Sequence, residues 1–337
     1  MKRLMLIALA VVLVAGFILY EILQAPNLFY GDRVIAVSRG ESFAEVVDSL
    51  ERAGIIRSRT LFVAAGRILG WTKKMQIGKY RFKRGVSNKR ILEDIRHGRS
   101  TELVIVTVRE GLKASRQARL LEKSLGIDSA RFMSLVDDSS FARVLGVEGV
   151  SLEGYLMPNT YMFYWQTDEQ DIIKEMVDVF WRVFSDTLKA RMESRGMTLQ
   201  EILTVASIVE AETAVDSERA LVAGVYYNRL QKKMRLEADP TVQYVLEDGP
   251  RRLRYSDLAR NSPYNTYRHY GLPPGPVNNP GRGSILAALY PARHKYLYFV
   301  ANGQGGHTFS KTYAEHRRAV QQYRRMREEQ QAMKAEG

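Results

Sequence analysis

An unbroken apolar run at the N-terminus constrains this chain more than any other feature of its sequence. The run covers 17 residues from Leu4 to Tyr20, follows Lys2 and Arg3, and ends at Glu21. A cleavable signal needs an apolar stretch of only about 7–15 residues followed by small residues. Spanning a bilayer takes roughly 17–25 residues. The sequence therefore predicts an uncleaved, single-pass transmembrane anchor.

The charges beside this run predict where the rest of the chain lies. Lys2 and Arg3 should remain in the cytoplasm, because short cytoplasmic segments next to membrane spans are rich in Lys and Arg. We therefore expect a protein of the inner (cytoplasmic) membrane, with everything after about residue 25 on the periplasmic, extracytoplasmic side. ATP-dependent chemistry is not expected in that compartment.

The chain is strongly basic, with 50 Lys and Arg against 37 Asp and Glu and a net charge of +13. Nucleic-acid binding is the usual interpretation of such an excess. However, no nucleic-acid motif accompanies the basic clusters, and the anchor places them outside the cytoplasm. The sequence therefore predicts no nucleic-acid partner. The basic residues either form solvated faces or bind an acidic polymer or an anionic membrane surface.

Several classes of active site are excluded by the residue inventory. The sequence contains no cysteine, which excludes disulfides, thiolate metal sites and cysteine nucleophiles. Its five histidines lack metal-ligand spacing, and no Gly-x-Ser-x-Gly elbow indicates a serine hydrolase. Carboxylate chemistry remains, and its commonest polymeric substrate outside the membrane is glycan. We expect neither a metal ion nor a cofactor.

Hydrophobic periodicity predicts an α+β fold in two parts. In the smaller part, strands are predicted at Arg33–Ser38 and Gly78–Phe82. Helices are predicted to begin at Ser42 and to cover Thr60–Leu69 and Asn88–Arg96. The larger part opens with a strand at Glu102–Val108 and ends with a strand at Tyr296–Ala301 and a charged helix from Tyr313. Between them, helices are predicted at Ser115–Leu125, Ser129–Val136, Gln170–Met192, Leu199–Glu212 and Glu218–Lys233.

One of these helices carries two candidate acidic groups. Thr198 and Glu201 have the spacing of a capping box, which predicts a helix that begins at Leu199. Glu210 and Glu212 lie at opposite edges of its apolar arc, about 160° apart at 100° per residue. The two carboxylates therefore cannot serve one site together, and helical phase alone does not choose between them.

A long segment rich in proline and glycine, Arg260 to Gly283, lies in the larger part and carries Tyr264, Tyr267 and Tyr270. A structureless stretch of this length inside a compact domain is usually functional or disordered. Tyrosines and prolines at this density favour an ordered wall with aromatic faces suited to sugar rings. A proline-rich connector is the alternative.

Nine strings in the larger part resemble, in order, the signatures of the YceG-like (MltG) endolytic murein transglycosylases. They are Leu152–Tyr161, Ala206–Thr213, Val222–Leu230, Asp239–Val242, Ser262–Tyr267, Gly271–Pro276, Asn279–Gly281, Tyr296–Ala301 and Gly306–Phe309. The resemblance covers roughly residues 150–320. Two departures leave the roles of the residues concerned open: Asn159 stands where Asp is expected, and Glu237 and Ala238 stand where Gln followed by Ser or Thr is more usual.

The resemblance implies a domain layout. Residues 1–25 would form the cytoplasmic N-terminus and transmembrane anchor, and residues 30–98 a small LysM-like α+β module. Residues 100–325 would form the larger YceG-like α+β catalytic domain, and residues 326–337 a charged C-terminal tail.

The resemblance also implies an activity and a site. Glu210 matches the family's catalytic glutamate, which protonates the glycosidic oxygen between MurNAc and GlcNAc and then deprotonates the C6 hydroxyl of the same MurNAc. The product carries a 1,6-anhydroMurNAc end, and the cut would terminate elongation of nascent strands. Substrate-positioning roles are carried over to residues in or next to the matching strings: Glu153, Asn228, Asp239, Gln243, Asn265 and Tyr267. The implied partners are peptidoglycan glycan strands and cell-wall synthases.

Other interpretations stay open at this stage. A hydrolytic muramidase would use Asp239 or Glu153 as a second carboxylate, and a non-catalytic peptidoglycan-binding scaffold would use neither. Each of the positioning residues also has a structural interpretation. Asp239 with Pro240 could start a turn, and Asn265 could cap one.

Overall fold

The structure is a computed structural model that describes residues 2–73, 75–99, 101–246, 249 and 251–335. Its first helix, α1 (Lys2–Leu23), contains the apolar run. Nearly all of its side chains are exposed, and within the described residues it is the one helix long and apolar enough to cross a membrane. Its last turn behaves differently, because Ile22 and Leu23 pack against a hydrophobic core further along the chain.

That core belongs to the first of two compact units, which comprises Met1–Val106, Leu121–Ile127 and Tyr161–Asp168. The unit contains β1 (Arg33–Val37), α2 (Phe43–Arg52), α3 (Arg59–Leu69), β2 (Gly78–Phe82) and α4 (Asn88–His97). The strands β1 and β2 pair antiparallel, and their alternating side chains include the buried Ile35, Tyr80 and Phe82. These elements confirm the strands and helices predicted for this part. The LysM-like identity of residues 30–98 stays a prediction.

The second unit comprises Thr107–Leu120, Asp128–Thr160 and Glu169–Gly337. The strands β3 (Leu103–Val108) and β4 (Asn159–Tyr164) pair with each other. The helices that follow β3 are α5 (Ala114–Leu125), α6 (Ser129–Val136), α7 (Ser139–Val144), α8 (Glu169–Val183) and α9 (Asp186–Ser194). The remaining elements are α10 (Leu199–Glu212), α11 (Asp216–Gln231), α12 (Asp239–Tyr244), α13 (Tyr255–Leu258), α14 (Arg282–Leu289), β5 (Tyr298–Ala301), β6 (His307–Ser310) and α15 (Tyr313–Ala335).

Helix α10 is the centre of the second unit. It begins with the predicted capping box of Thr198 and Glu201, and every residue from Ile202 to Val209 is buried. It packs against α11 and α14. A helix buried on all sides must satisfy its polar side chains internally, and Ser207 does so by donating to the Thr204 carbonyl at 2.8 Å. The helix that carries Glu210 and Glu212 is therefore a buried, fixed element of this unit.

The segment from Arg260 to Gly283, which was predicted to form an ordered wall, contacts α10 near its end. The backbone N–H of Val277 donates to Ser207 Oγ at 3.0 Å, and the Asn278 side chain donates to the Ser207 carbonyl at 2.8 Å. Gly154, with a φ of 96°, lies so close to Pro276 that a Cβ there would meet the ring at 2.5 Å. Close backbone approach therefore holds the later part of this segment, residues 275–281, in the core of the unit.

Three helical predictions need correction. The single helix predicted over Gln170–Met192 is two helices, α8 and α9, because Ser185 takes an extended conformation and begins a new helix. No helix was predicted over Asp239–Tyr244, where a turn at Asp239 and Pro240 was the structural alternative, but Pro240 lies in the first turn of α12, where its missing N–H costs nothing. Helix α14 was not predicted within the proline-rich segment and the residues after it.

Candidate active site

Two cavities in the second unit share Glu212 and Asp239 in their linings. The smaller, of about 280 Å³, is lined by Glu212, Tyr226, Arg229, Leu236, Glu237, Asp239, Tyr267, Phe299 and His316. The larger, of about 460 Å³, is lined by Gly111, Leu112, Lys113, Arg116, Ala211, Glu212, Asp239, Pro240, Gln243, Val277 and Asn278. A polymer that occupied both cavities would therefore pass Glu212 and Asp239.

Glu212 is the last residue of α10 and is half-buried. The Tyr226 hydroxyl, on the neighbouring helix α11, donates to Glu212 Oε1 at 2.7 Å. Burial raises the pKa of Glu212 to about 7, and the nearby charge of Asp239 acts in the same direction. Glu212 can therefore carry a proton near neutrality, which is what a general acid requires.

Glu210 has different surroundings, in agreement with the helical phase. Its side chain is 7% exposed, and Oε2 lies 2.9 Å from Arg219 Nη1 and accepts from the Gly281 N–H at 3.0 Å. Arg219 also pairs with Asp216 at 3.0 Å. Both partners of Glu210 are donors, and they hold its carboxyl group within the protein, away from the cavities. Glu210 lines neither cavity and ties α10 to α11 and to the start of α14.

Three of the residues predicted to position substrate do reach the cavities. Asp239, the first residue of α12, accepts from the Tyr267 hydroxyl at 2.5 Å. Burial, together with this bond to Asp239, raises the pKa of Tyr267 well above its usual range. Gln243 lines the larger cavity and exchanges two hydrogen bonds with the Arg251 backbone, one of them at 3.1 Å. Tyr267 and Gln243 therefore form walls on either side of Asp239.

The other three predicted residues lie away from the cavities and bind backbone groups. Glu153 is 8% exposed, accepts from the Ala114 N–H at 3.0 Å and from the Asn279 side chain at 2.8 Å, and so caps α5. Burial raises the pKa of Glu153 to about 7. Asn228 donates at 2.9 Å to the carbonyls of His294 and Tyr296.

Asn265 is fully buried and holds the loop that carries Tyr267. It donates to the carbonyls of Leu258 and Arg260 at 3.0 and 2.8 Å, and its own side-chain oxygen accepts from the Tyr267 N–H at 3.0 Å. Its position therefore fixes Tyr267 without any contact with the cavity itself.

Three residues that line the cavities, Tyr226, Arg229 and Lys113, were not singled out from the sequence, and a fourth, Glu237, was named there only as a departure whose role stayed open. Tyr226 and Arg229 lie beside Asn228 in one of the family-like strings. Lys113 donates to the carbonyls of Gln243 and Tyr244 at 2.9 and 2.7 Å. Glu237 has a φ of 48°, a left-handed conformation that is uncommon outside glycine and often marks a functional site.

Arg229 holds Glu237 in position. Its guanidinium lies 3.2 Å from the Glu237 carboxylate and donates to the Leu236 carbonyl at 2.9 Å. A positive φ leaves no pattern in the sequence, so this conformation of Glu237 was not predictable from it. Among the residues that the structure describes, no cluster of three or more His, Asp or Glu side chains has the arrangement of a metal site.

Comparison with known proteins supports one family. The profile of the YceG-like family matches residues 35–322. An endolytic murein transglycosylase of Bacillus subtilis (strain 168) is 33% identical over 304 residues, which are 86% of this chain and 84% of that protein. An endolytic murein transglycosylase of Streptococcus pneumoniae serotype 2 (strain D39 / NCTC 7466) is 27% identical over 305 residues. That match covers 82% of this chain and 55% of the pneumococcal protein.

The fold is shared with a solved structure as well. A YceG-like protein of Listeria monocytogenes superposes with a TM-score of 0.62 at 30% sequence identity, covering 86% of this chain and 99% of that one. These matches extend over both units and confirm the family predicted from the nine sequence strings. The chain belongs to the YceG-like family.

Proposed function

We propose that this chain is an endolytic murein transglycosylase and that Glu212, in place of Glu210, is its acid and base. The observation that carries the assignment is the position of Glu212 in the linings of both cavities, with burial raising its pKa to about 7. Relatives named endolytic murein transglycosylase support the reaction class.

The proposed reaction uses one carboxyl group twice. Protonated Glu212 donates its proton to the glycosidic oxygen as the bond from MurNAc C1 to that oxygen breaks. The resulting carboxylate removes the proton from the C6 hydroxyl of the same MurNAc, and O6 bonds to C1. Glu212 regains its proton, the strand gains a 1,6-anhydro end, and no water is added.

Asp239 has a supporting role in this mechanism. It shares both cavities with Glu212, and the Tyr267 hydroxyl donates to it. Positive charge develops at C1 as the glycosidic bond breaks, and a fixed carboxylate near that atom stabilises it. The hydrogen bond from Tyr267 holds the Asp239 carboxylate in position for this role.

A hydrolytic muramidase is the second candidate function, and the position of Asp239 beside Glu212 in both cavities favours it. Asp239 could activate a water molecule while Glu212 protonates the leaving oxygen, as in glycosidases with two carboxylates. Glu153 is a poor choice for this role, because it is buried and accepts from Ala114 and Asn279. The two functions differ in whether the new end contains an added water molecule.

A non-catalytic scaffold finds less support. Keeping a carboxylic acid half-buried beside a second carboxylate costs stability near neutral pH, and binding glycan does not require that arrangement. If the unmodified chain showed no detectable turnover of peptidoglycan, the scaffold would be the better account.

Helix α1 is proposed to hold the enzyme at the inner membrane, with the second unit outside the cytoplasm, near the synthases that make its substrate. The length and apolar character of Lys2–Leu23 support a span, and Lys2 and Arg3 support this orientation. A chain that lacks residues 1–20 should leave the membrane fraction and keep its turnover. Retention in that fraction would contradict the anchor.

Two matched substitutions on one helix test the assignment of the acid. Glu212→Gln keeps the shape of the side chain but has no proton to give, so turnover of peptidoglycan strands should fall by about 10²–10⁴-fold. Glu210→Gln weakens the link to Arg219 and should lower the melting temperature while keeping most of the turnover. A folded Glu212→Gln variant with unchanged turnover would refute the proposal.

A further inference from the structure

Tyr226 is the closest partner of the proposed acid, and its side chain is rigidly held. It is 3% exposed on α11, and its ring meets the edge of Phe299 with the ring centroids 6.0 Å apart. Its hydroxyl reaches one oxygen of Glu212, Oε1, at 2.7 Å. Among the residues that the structure describes, no group donates to the second oxygen, Oε2.

We propose that Tyr226 is a positioning residue that keeps Glu212 Oε1 as a hydrogen-bond acceptor throughout the reaction, so that both proton transfers pass through Oε2. This inference rests on the proposed role of Glu212. It assigns different roles to the two carboxyl oxygens of Glu212: Oε1 is bound to the protein, and Oε2 is available to the substrate.

The phenol can hold this role because it does not give up its own proton. Burial and the neighbouring Glu212 raise the pKa of Tyr226 well above its usual range. The hydroxyl therefore remains a donor when Glu212 is an acid and when it is a carboxylate. In the acid, Oε1 is the carbonyl oxygen and the proton lies on Oε2. In the carboxylate, the same hydrogen bond is charge-assisted and stronger.

Because this hydrogen bond is stronger to the carboxylate than to the acid, Tyr226 affects the pKa of Glu212 as well as the orientation of its carboxyl group. After burial, the hydrogen bond from Tyr226 is the largest influence on the pKa of Glu212, and it lowers that pKa. The other titratable groups that line the two cavities with Glu212 are Arg229, Asp239, Glu237, Tyr267, His316, Lys113 and Arg116. All of them remain in a Tyr226→Phe variant, which therefore isolates the effect of one hydroxyl.

The test compares Tyr226→Phe with Tyr227→Phe, the same change at the next residue of α11. Tyr227 donates to the Ala288 carbonyl at 2.8 Å and lines neither cavity. The pH dependence of kcat/KM is measured with the full-length chain on peptidoglycan strands. For Tyr226→Phe, the pH at which activity falls should rise by about 0.5–1 unit, since a charged hydrogen bond outweighs a neutral one by about 1 kcal/mol.

The same variant should lower kcat severalfold and leave KM unchanged, because the hydroxyl contacts Glu212 and not the substrate. Tyr227→Phe should match the wild type in both respects. If Tyr226→Phe is poorly folded, 3-fluorotyrosine at position 226 strengthens the donor, keeps the shape of the ring, and should move the fall in activity to lower pH.

An unchanged pH dependence in an active Tyr226→Phe variant, or in the fluorinated chain, would overturn the inference. A fall in kcat of equal size in both phenylalanine variants would also overturn it, since loss of packing alone would then be sufficient. Failure of the proposed function gives a different result: Glu212→Gln would retain turnover. Loss of turnover in Glu212→Gln with no change in the pH dependence of Tyr226→Phe would reject this inference alone.

Discussion

Turnover should fall about 90-fold as the pH rises from about 6 to about 9, because Glu212 loses the proton that it must donate. With a pKa of about 7, roughly nine-tenths of the chains carry that proton at the lower pH and roughly one in a hundred at the higher. If the pKa of Glu212 had its ordinary value, the activity would fall near pH 4.5 instead. Burial of the carboxyl at the end of α10 is the physical cause of the difference.

The assay is the initial rate of release of soluble fragments from purified peptidoglycan, with circular dichroism at each pH to establish that the chain stays folded. A second carboxyl, Glu153, also has a pKa of about 7, so its ionisation could contribute through stability. Glu153→Gln serves as the control and should show the same pH dependence of activity. A rate that stays constant to pH 9 would refute the assignment of Glu212.

Three further predictions concern stability. The raised pKa of Glu153 means that the folded chain binds more protons than the unfolded chain between pH 4.5 and about 7. Stability should therefore fall as the pH rises through that window, by up to about 3 kcal/mol, and urea unfolding should show a smaller fall for Glu153→Gln. Asn265→Ala should cost about 2–4 kcal/mol, because it leaves buried backbone groups without partners. An unchanged unfolding midpoint would contradict that role. Glu237→Gly should raise the melting temperature, since relief of a positive φ is worth about 1 kcal/mol, and a lower melting temperature would show that the bond to Arg229 matters more.

Elements with a strong local signal were predictable from the sequence. The capping box at Thr198 and Glu201 placed the start of α10 correctly, because both partners lie within one turn of each other. Alternation along the sequence of Gly78–Phe82 likewise predicted β2. In each case the residues that decide the structure are neighbours in the chain.

Elements decided by more distant contacts were harder to predict. No glycine or proline marks the break between α8 and α9 in the sequence. Ser185 is equally compatible with the polar face of one long helix and with the start of a new helix. Helix α14 follows a proline-rich segment and is stabilised by packing on α10 and α11. Helix propensity gives little weight to such a segment before the partner helices are known.

The candidate site divides in the same way. Helical phase separated Glu210 from Glu212 correctly, but the choice depends on what α11 brings to each carboxylate. Arg219 reaches Glu210 and Tyr226 reaches Glu212, and this pairing is set by how the two helices cross. In the sequence alone the two glutamates are equivalent, so the prediction of Glu210 rested only on the resemblance to a family motif.

Buried polar residues caused the other difficulty. Asn265 and Glu153 lie in or next to strings typical of the family, and their side chains suit substrate binding. In the structure they bind backbone groups that would otherwise be buried without partners. A sequence string does not distinguish a polar residue that contacts substrate from one that holds the loop beside it.

The central claim is that one carboxyl group, Glu212, moves two protons and that the substrate supplies the nucleophile. The most direct test is mass spectrometry of the fragments that the chain releases from peptidoglycan in water enriched in ¹⁸O. The account predicts 1,6-anhydroMurNAc ends that contain no ¹⁸O, and no such ends from Glu212→Gln. Newly formed reducing MurNAc ends in place of the anhydro ends would contradict it and would favour the hydrolytic mechanism, in which Asp239 is the candidate for activating water.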